Sequence, residues 1–371
     1  MNLGVIGYGK RIQGVIRSIQ KEDPDCIVTA IADIRDDIET EREGLEPIRL
    51  YKTPEEMLSA EKLDGVLIGT RCSLHTEMAL KVLPTGIPLF LEKPVATNME
   101  DLRRLKAGYE SGKSDVMVSF PLRAASIVQL VKEIIDSGKI GTVEHVQAVN
   151  NVPYGGVYFH HWYRDENETG GLFLQKATHD FDYINYVLGI RPVEISAMTS
   201  KQIFKGNKPA GLKCADCDEK FTCTESQVKG PEKRGWEYCS FAEDTGNEDS
   251  GSALIRYETG MHVSYSQNFF ARRKAAARGA TFIGYKGTVQ FDFYQNEVKV
   301  IMHHTPRIET HTFDSAEGHF GGDAYLARGF IAMMKGEAKS PSPLEAGMLS
   351  ALMCIKAKQS AETRTFQQVE W

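Results

Sequence analysis

The sequence lacks the features that would direct it to a membrane, to nucleic acid or to an oxidising compartment. No apolar stretch approaches the ~20 residues that a bilayer span needs, and the start has no basic region followed by a long apolar one. The net charge of −6 provides no basic field for nucleic acid or anionic lipid. Seven cysteines in 371 residues do not suggest a disulfide scaffold. These absences predict a cytoplasmic protein that acts on small molecules, without nucleic-acid or membrane partners.

The first third of the chain alternates apolar runs with helical patterns. The runs predict strands at residues 3–6, 26–32, 65–68, 87–91 and 116–120. Strands that alternate with helices of roughly ten or more residues are typical of a parallel, doubly wound sheet. The sequence therefore predicts an α/β Rossmann domain over residues 1–122, of the kind that binds NAD(P).

After Arg123 the pattern changes to strand-like runs with few helices between them. These runs lie at residues 143–150, 192–199, 252–257, 261–268, 280–284, 288–293 and 297–303. They favour an α+β domain over residues 123–371 with a large, mainly antiparallel open sheet. Its polar segment at about 204–248 is interpreted as a long insertion. Because exposed sheet surfaces are usually covered, we expect this substrate-binding domain to form a homodimer or homotetramer.

A glycine turn joins the first strand to the first helix, in the sequence Gly7-Tyr8-Gly9-Lys10-Arg11. Glycines at this place let the backbone approach a pyrophosphate, which the amides of a helix N-terminus hold. Ile12 replaces the third glycine of the usual Gly-x-Gly-x-x-Gly motif. We expect this bulkier residue to loosen the packing of helix on strand without blocking the phosphate.

Asp33 ends the second strand, where a carboxylate accepts hydrogen bonds from the adenosine ribose of a dinucleotide. The same carboxylate repels a 2′-phosphate, which favours NAD. Arg35 lies two residues further on and leaves NADP open as an alternative.

Glu92-Lys93-Pro94 follows a strand at the carboxyl edge of the sheet, where ligands bind in open α/β folds. A lysine there can act as a general acid or base when burial and a nearby nicotinamide cation lower its pKa. The alternative is an ordinary surface lysine before a turn.

Taken in order, these motifs resemble those of the Gfo/Idh/MocA family, which includes glucose–fructose oxidoreductase and inositol dehydrogenase. The resemblance also uses Gly69-Thr70 with His75, Phe120-Pro121-Leu122-Arg123, Gly170-Gly171, His179-Asp180-Phe181-Asp182 and His319-Phe320-Gly321-Gly322-Asp323, and it covers nearly the whole chain. It implies a dehydrogenase whose NAD(P) is bound by Gly7, Tyr8, Gly9, Lys10, Arg11, Asp33, Gly69, Thr70, His75, Glu92 and Lys93.

The resemblance also implies catalytic roles. Lys93 resembles the catalytic lysine of the family, and His179 the histidine that binds a substrate hydroxyl and shares proton transfer. Many members have an aspartate four residues before that histidine, where this chain has Gln175, which cannot carry a proton. Lys176 with His179 instead resembles a branch with Lys-x-x-His-Asp, in which both side chains can share a helix face. The alternative is a helix with a capped polar edge.

Residues 158–164 are dense in aromatic and cationic groups. They suit either a sugar ring or a packed loop at a subunit contact. The candidate substrate-binding residues are Lys93, Arg123, His160, Lys176 and His179.

Four of the seven cysteines, Cys214, Cys217, Cys223 and Cys239, lie in the polar insertion. Their spacing suits tetrahedral zinc, and an iron–sulfur cluster is the less favoured alternative. Disulfides or four unrelated thiols are the remaining interpretations. We expect a structural metal that pins a loop with too little apolar content to pack by itself.

Together these features predict hydride transfer between a nicotinamide and a hydroxyl carbon of a sugar, polyol or sugar derivative. Lys93 exchanges the hydroxyl proton and His179 orients the hydroxyl. A glycoside-cleaving enzyme that retains NAD and oxidises carbon 3 transiently is one alternative, since the same residues serve it. A non-catalytic dinucleotide sensor is another, but it would need no proton shuttle such as Lys93 and His179.

Overall fold

The computed structural model describes residues 1–38, 47–228, 236–314 and 317–371. In these ranges the chain forms two sheets, one parallel with six strands and one mixed with nine strands. This arrangement confirms the predicted fold class, a Rossmann domain followed by an α+β region with a large, mainly antiparallel sheet.

The parallel sheet has the strand order β3-β2-β1-β4-β5-β6. Its strands are β1 (Asn2–Ile6), β2 (Ile27–Ala32), β3 (Arg49–Tyr51), β4 (Gly65–Ile68), β5 (Leu89–Leu91) and β6 (Val116–Val118). Its helices are α1 (Lys10–Glu22), α2 (Pro54–Ala60), α3 (His75–Val82) and α4 (Met99–Ser111).

The register of this sheet determines where the site forms. Ile6 of β1 pairs with Ile68 of β4, and Ile68 pairs with Leu91 of β5. The chain therefore leaves all three strands at the same carboxyl edge. Gly7, Gly69 and Glu92 follow directly and begin three neighbouring loops.

Sequence signals explain the helices around the sheet. The buried face of α1 consists of the apolar residues at helical spacing, Ile12, Val15, Ile16 and Ile19. The side chain of Thr53 caps α2, and that of Asn98 caps α4. Both caps satisfy backbone amides that have no partner within the helix.

Two short helices, α5 (Pro121–Ala124) and α6 (Ser126–Asp136), lead to the second sheet. Its strands are β7 (Val143–Asn151), β8 (Pro192–Ser200), β9 (Ser250–Tyr257), β10 (His262–Asn268), β11 (Ala277–Gly284), β12 (Gly287–Asp292), β13 (Glu297–Met302), β14 (Ile308–Thr312) and β15 (Gln367–Gln368). Their order is β14-β13-β12-β11-β7-β10-β9-β8-β15. The pair β7–β10 is parallel, and the other neighbours are antiparallel.

Between β7 and β8 the chain forms α7 (Val157–His160), α8 (Glu166–Thr169), a π-helical turn over Phe173–Ala177, and α9 (Thr178–Leu188). Short 3₁₀ turns occur at Cys72–Leu74, Leu83–Thr85, Trp162–Arg164, Cys214–Asp216 and Arg273–Ala275. The π-helical turn joins α9 directly, so Lys176 and His179 belong to one continuous helical segment.

The chain ends with the kinked turn α10 (Glu317–Phe320) and the helices α11 (Gly322–Met334) and α12 (Leu344–Thr363). Leu326 and Phe330 of α11 pack into the same apolar cluster as Leu3 and Ile12. A segment assigned by sequence to the second domain thus completes the core of the first, and the boundary at residue 122 stays a prediction. No helix in the described ranges is long and apolar enough to cross a membrane.

Candidate active site

The turn between β1 and α1 has the backbone geometry of a phosphate-binding loop. Gly7 has φ +80°, and a Cβ there would lie 2.8 Å from backbone atoms of Thr70, so no other residue fits. No side chain caps α1, whose N-cap residue is Gly9. Uncapped amides at a helix N-terminus attract anions. The turn therefore fits the pyrophosphate of a dinucleotide.

Ile12 packs directly over Gly69 at the end of β4. A Cβ on Gly69 would lie 2.6 Å from the Cβ of Ile12, which is fully buried. Gly69 thus provides on the strand the space that the usual third glycine provides on the helix. The expectation that Ile12 loosens the packing is wrong, because the glycine opposite it accommodates the larger side chain.

Asp33 is held at the rim of this turn. Its carboxylate accepts a hydrogen bond from the Tyr8 amide at 2.8 Å. It also accepts hydrogen bonds from the Arg35 amide at 2.9 Å and from the Arg35 guanidinium at 3.0 and 3.1 Å. Burial would raise the pKa of Asp33, but these hydrogen bonds outweigh it and lower the pKa. An ionised carboxylate at this position suits a ribose diol, and Arg35 lies directly against it.

His75 connects the two loops that follow β4 and β5. Its Nδ1 lies 2.7 Å from the Pro94 carbonyl oxygen, and its Nε2 lies 3.3 Å from that of Thr70. The ring is buried, and burial lowers the pKa of His75. The side chain therefore holds the Lys93-Pro94 segment, whose peptide bond is cis, against the Gly69-Thr70 turn.

Lys93 follows β5 and points across to the helical segment of the second region. Its Nζ donates a hydrogen bond to the Gln175 carbonyl oxygen at 3.2 Å. Burial is the main cause that lowers the pKa of Lys93, and the charges of Lys176 and Arg11 lower it further. The loop after β5 and the turn before α9 therefore meet at this hydrogen bond, and we call the region of Lys93, Lys176 and His179 around it the Lys93 gap.

Lys176 lies on the π-helical turn on the other side of this gap. Its Nζ donates to the Tyr154 hydroxyl at 2.5 Å, and it lies 4.4 Å and 5.3 Å from the ring centres of Tyr154 and Tyr158. Burial and the Arg278 charge lower the pKa of Lys176, although Tyr154 opposes them. π-Helical turns occur frequently at functional sites, where they reposition side chains.

His179 is buried one turn further along α9. Among the described residues its Nδ1 has no hydrogen-bond partner. Its ring meets the edge of Phe120 at 5.8 Å and stacks on His319 at 6.5 Å. Burial holds the pKa of His179 well below its usual range, and the charges of Lys93 and Arg278 add to this effect. The neutral imidazole thus presents an unsatisfied polar atom that a substrate hydroxyl can engage.

Two residues of this region were missed in the sequence, Tyr154 and Arg278. Arg278 is buried on β11, where its Nε donates to Asp180 at 2.8 Å. Tyr265 and Asn150 also donate to Asp180, at 2.9 Å and 2.7 Å. The only sequence signal for Arg278 is a cation directly before an apolar run, and Tyr154 has none that separates it from its aromatic neighbours.

Three predicted site residues form ion pairs within the protein. Arg11 binds Glu92 at 2.8 Å and Asp323 at 2.9 Å, which ties α1 to β5 and α11. The guanidinium of Arg123 forms a buried pair with Asp182 and lies 5.2 Å from the ring centre of Tyr186. The cofactor role of Arg11 and Glu92 and the substrate role of Arg123 stay predictions.

His160 faces the polar insertion. Its Nδ1 lies 2.6 Å from the Tyr238 carbonyl oxygen, and its Nε2 lies 3.9 Å from Glu225. Burial opposes protonation, but the neighbouring Cys214 and Glu225 raise the pKa of His160 to about 9. The predicted substrate role of His160 also stays a prediction, since its polar contacts are with the insertion.

The predicted metal centre in the insertion is not supported. Backbone hydrogen bonds bring Cys214 to Glu237 and Cys239 to Leu212, each at 2.8 Å, and all four cysteines are free thiols. Within the described ranges, however, no three His, Cys, Asp or Glu side chains are arranged to hold a metal ion. The sequence spacing brought the thiols to one region, but Cys214 and Cys239 are buried whereas Cys217 and Cys223 are half-exposed on adjacent turns.

Comparison with known proteins agrees with this geometry. The model of the oxidoreductase family with an NAD-binding Rossmann fold (GFO_IDH_MocA) matches residues 1–120. The GFO/IDH/MocA C-terminal domain matches residues 128–290. The protein YteT of Bacillus subtilis (strain 168) is 25% identical over 313 residues, which are 73% of each chain. Myo-inositol 2-dehydrogenase of Thermotoga maritima is 30% identical over 202 residues, which are 53% of this chain and 58% of that enzyme.

Solved structures show the same fold over the whole chain. Levoglucosan dehydrogenase in complex with NADH and levoglucosan has a TM-score of 0.79 at 19% identity, with 100% of both chains covered. Myo-inositol 2-dehydrogenase from Lactobacillus plantarum has a TM-score of 0.75 at 17% identity, with 100% of this chain and 99% of that chain covered. With family models matching both halves and the phosphate-binding turn at the start of α1, this chain belongs to the Gfo/Idh/MocA family of NAD-binding oxidoreductases.

Proposed function

We propose that the protein is an NAD-dependent dehydrogenase of a sugar, a polyol or a sugar derivative, with Lys93 as the acid/base. The observation that supports this most directly is the Lys93 gap. It contains a lysine with a lowered pKa and a buried, neutral histidine with an unpaired nitrogen. The described contacts of this lysine and this histidine include no ion pair that would stabilise the fold. Groups with perturbed pKa values cluster at functional sites.

The residues present fit NAD. The turn at Gly7 and Gly9 would receive the pyrophosphate, and Asp33 would accept hydrogen bonds from the adenosine ribose. The nicotinamide of NAD supplies the hydride acceptor. NADP is the second candidate cofactor, because Arg35 lies against Asp33.

The chain's own groups would handle the proton. In alcohol oxidation the neutral amine of Lys93 takes the hydroxyl proton as the neighbouring C–H bond gives up its hydride, and in carbonyl reduction the ammonium returns it. Burial favours the neutral amine that the first direction needs. His179 would hold the same hydroxyl through its unpaired ring nitrogen, and the Gln175 carbonyl fixes Nζ of Lys93.

The test is NAD reduction by purified protein with a panel of sugars and polyols. The panel begins with myo-inositol and levoglucosan, the compounds after which two of the similar dehydrogenases are named. We expect Lys93→Met to lower kcat/KM on any substrate found by about 10²–10⁴-fold, while NADH binding persists. The control is Lys335→Met, because Lys335 is a surface residue paired with Asp23. Turnover by Lys93→Met within about fivefold of wild type would contradict the assignment.

A further inference from the structure

The two lysines of the Lys93 gap have no acidic partner. In the described part of the chain, the only hydrogen-bond acceptors of their Nζ atoms are the Gln175 carbonyl and the Tyr154 hydroxyl. Both acceptors are uncharged groups under ordinary conditions. A buried ammonium without a carboxylate is costly unless something else compensates it.

The nearby carboxylates are already engaged with other cations. Asp180 binds Arg278, and Glu92 and Asp323 both bind Arg11. Glu92 and Asp180 attract Lys93 and Lys176 only at longer range, so neither lysine has an ion pair of its own in the part of the chain that the structure describes. An oxidised nicotinamide beside them would add another positive charge.

The hydroxyl of Tyr154 responds to the positive charges around it. Burial would raise the pKa of its hydroxyl, but the charges of Lys176 and Arg278 outweigh burial and lower it. The surroundings of this hydroxyl therefore favour an anion. Tyr154 is itself 46% exposed, so the side chain that contacts Lys176 reaches the surface of the protein.

We propose that the substrate is a sugar acid, and that Lys176 binds its carboxylate while Lys93 and His179 act on a hydroxyl of the same molecule. This inference rests on the proposed dehydrogenase function and narrows its substrate class. Lys176 and His179 are separated by about one helical turn, roughly 5 Å along the axis. That separation suits a carboxylate and a ring hydroxyl of one hexuronic or aldonic acid.

Neutral sugars carry no charge that could pair with Lys176. They would leave Lys176 without a counter-charge, so the lysine would have to lose its proton or remain unpaired when the substrate excludes water. A sugar acid fills the same volume and pairs the ammonium. Sugar acids and neutral sugars therefore differ in the group that they present to Lys176. Binding measurements with matched pairs of an acid and its neutral counterpart distinguish the two substrate classes.

The experiment measures ligand binding to the NADH-bound protein by calorimetry. The probes are D-glucuronate against D-glucose, D-galacturonate against D-galactose, and D-gluconate against D-sorbitol. We expect at least one acid to bind about tenfold or more tightly than its neutral partner. Lys176→Met should remove this preference, whereas Lys176→Arg, which retains the positive charge, should preserve most of it. A matched control is Lys201→Met, because Lys201 is also partly buried but donates to the Thr245 carbonyl.

Two results would overturn the inference: no acid binds more tightly than its neutral partner, or Lys176→Met keeps the preference in a protein that still binds NADH. The proposed function fails separately. If neutral sugars reduce NAD in a Lys93-dependent reaction and acids do not, the dehydrogenase assignment stands and the sugar-acid inference falls. If no compound of either class supports Lys93-dependent NAD reduction, both fall.

Discussion

Arginines bind carboxylates at two junctions between elements, one where the helices after β6 meet α9 and one where α1 meets α11. Arg123 binds Asp182, and Arg11 binds Glu92 and Asp323. In the Lys93 gap, by contrast, the Nζ atoms of Lys93 and Lys176 donate to a carbonyl and a phenol, and Lys176 also lies against the rings of Tyr154 and Tyr158. Within the described residues, the chain thus pairs its arginines with carboxylates at the junctions and leaves these two lysines without a carboxylate partner at the gap.

This difference separates two uses of buried charge. A compensated pair fixes the relative position of two elements, and removing one partner leaves the other charge stranded. An uncompensated lysine lowers stability, so its presence is better explained by a ligand or a reaction that needs it. The comparison therefore predicts opposite effects on folding for substitutions in the two regions.

The largest expected effect is at the Arg123–Asp182 pair. Asp182→Asn keeps the side-chain size but leaves the Arg123 guanidinium buried without a counter-charge. We expect the free energy of unfolding to fall by about 3–5 kcal/mol, measured by urea denaturation. The double variant Arg123→Met/Asp182→Met should recover most of this loss, because no stranded charge remains. An Asp182→Asn protein as stable as wild type would show that the pair does not hold the junction.

An intermediate effect is expected at Lys176. Lys176→Met keeps an apolar stem and removes the buried ammonium, so the free energy of unfolding near neutral pH should rise or change by less than ~1 kcal/mol. The pKa of Lys176 is lowered from 10.5 in the folded protein. Between the lowered value and 10.5 the unfolded chain binds more protons, so wild-type stability gains with rising pH from this residue.

The measurement is the difference in unfolding free energy between Lys176→Met and wild type, at neutral pH and near pH ~9.5. The advantage of the variant should shrink as the pH rises, because the folded wild type no longer carries the buried ammonium above its lowered pKa, and the remaining cost of losing that proton falls as the pH approaches 10.5. Other groups that titrate in this range are present in both proteins, so their contributions cancel in the difference between the two unfolding free energies. A variant clearly less stable than wild type at neutral pH, or a pH-independent difference, would remove the contrast between the gap and the junctions.

Local sequence patterns were sufficient for most of the fold. The apolar runs located five of the six strands of the parallel sheet, all but β3, and seven strands of the second sheet, and the caps at Thr53 and Asn98 located helix starts. β14 was missed because its residues alternate between half-buried and exposed, without an apolar face. The packing of α11 on α1 could not be foreseen, since it joins residues about 310 positions apart, as in the Arg11–Asp323 pair.

The candidate site was only partly accessible to sequence reasoning. The position of Glu92-Lys93-Pro94 at a strand end made Lys93 a candidate, because parallel strands bring their carboxyl ends to one edge, whereas His179 became a candidate through the family resemblance. Motifs could not tell which charged side chains are neutralised within the protein, as Arg123 is by Asp182. Nor could cysteine spacing establish a metal centre, since coordination depends on side-chain directions as well as on proximity.

The smallest expected effect is at the exposed Asp33–Arg35 pair. Arg35 is about half exposed, and it donates to the Asp33 carboxylate at 3.0 Å. Solvent screens such pairs, so Arg35→Ala should change the free energy of unfolding by less than ~1 kcal/mol. The cofactor preference should respond more clearly. Without Arg35 no cation offsets the charge of Asp33, so the carboxylate repels a 2′-phosphate more strongly. We expect the ratio of NADPH to NADH dissociation constants, measured by fluorescence titration, to rise by about two- to fivefold. A fall in that ratio would mean that Arg35 does not assist a 2′-phosphate, and that the pair matters for folding of the turn rather than for the choice of cofactor.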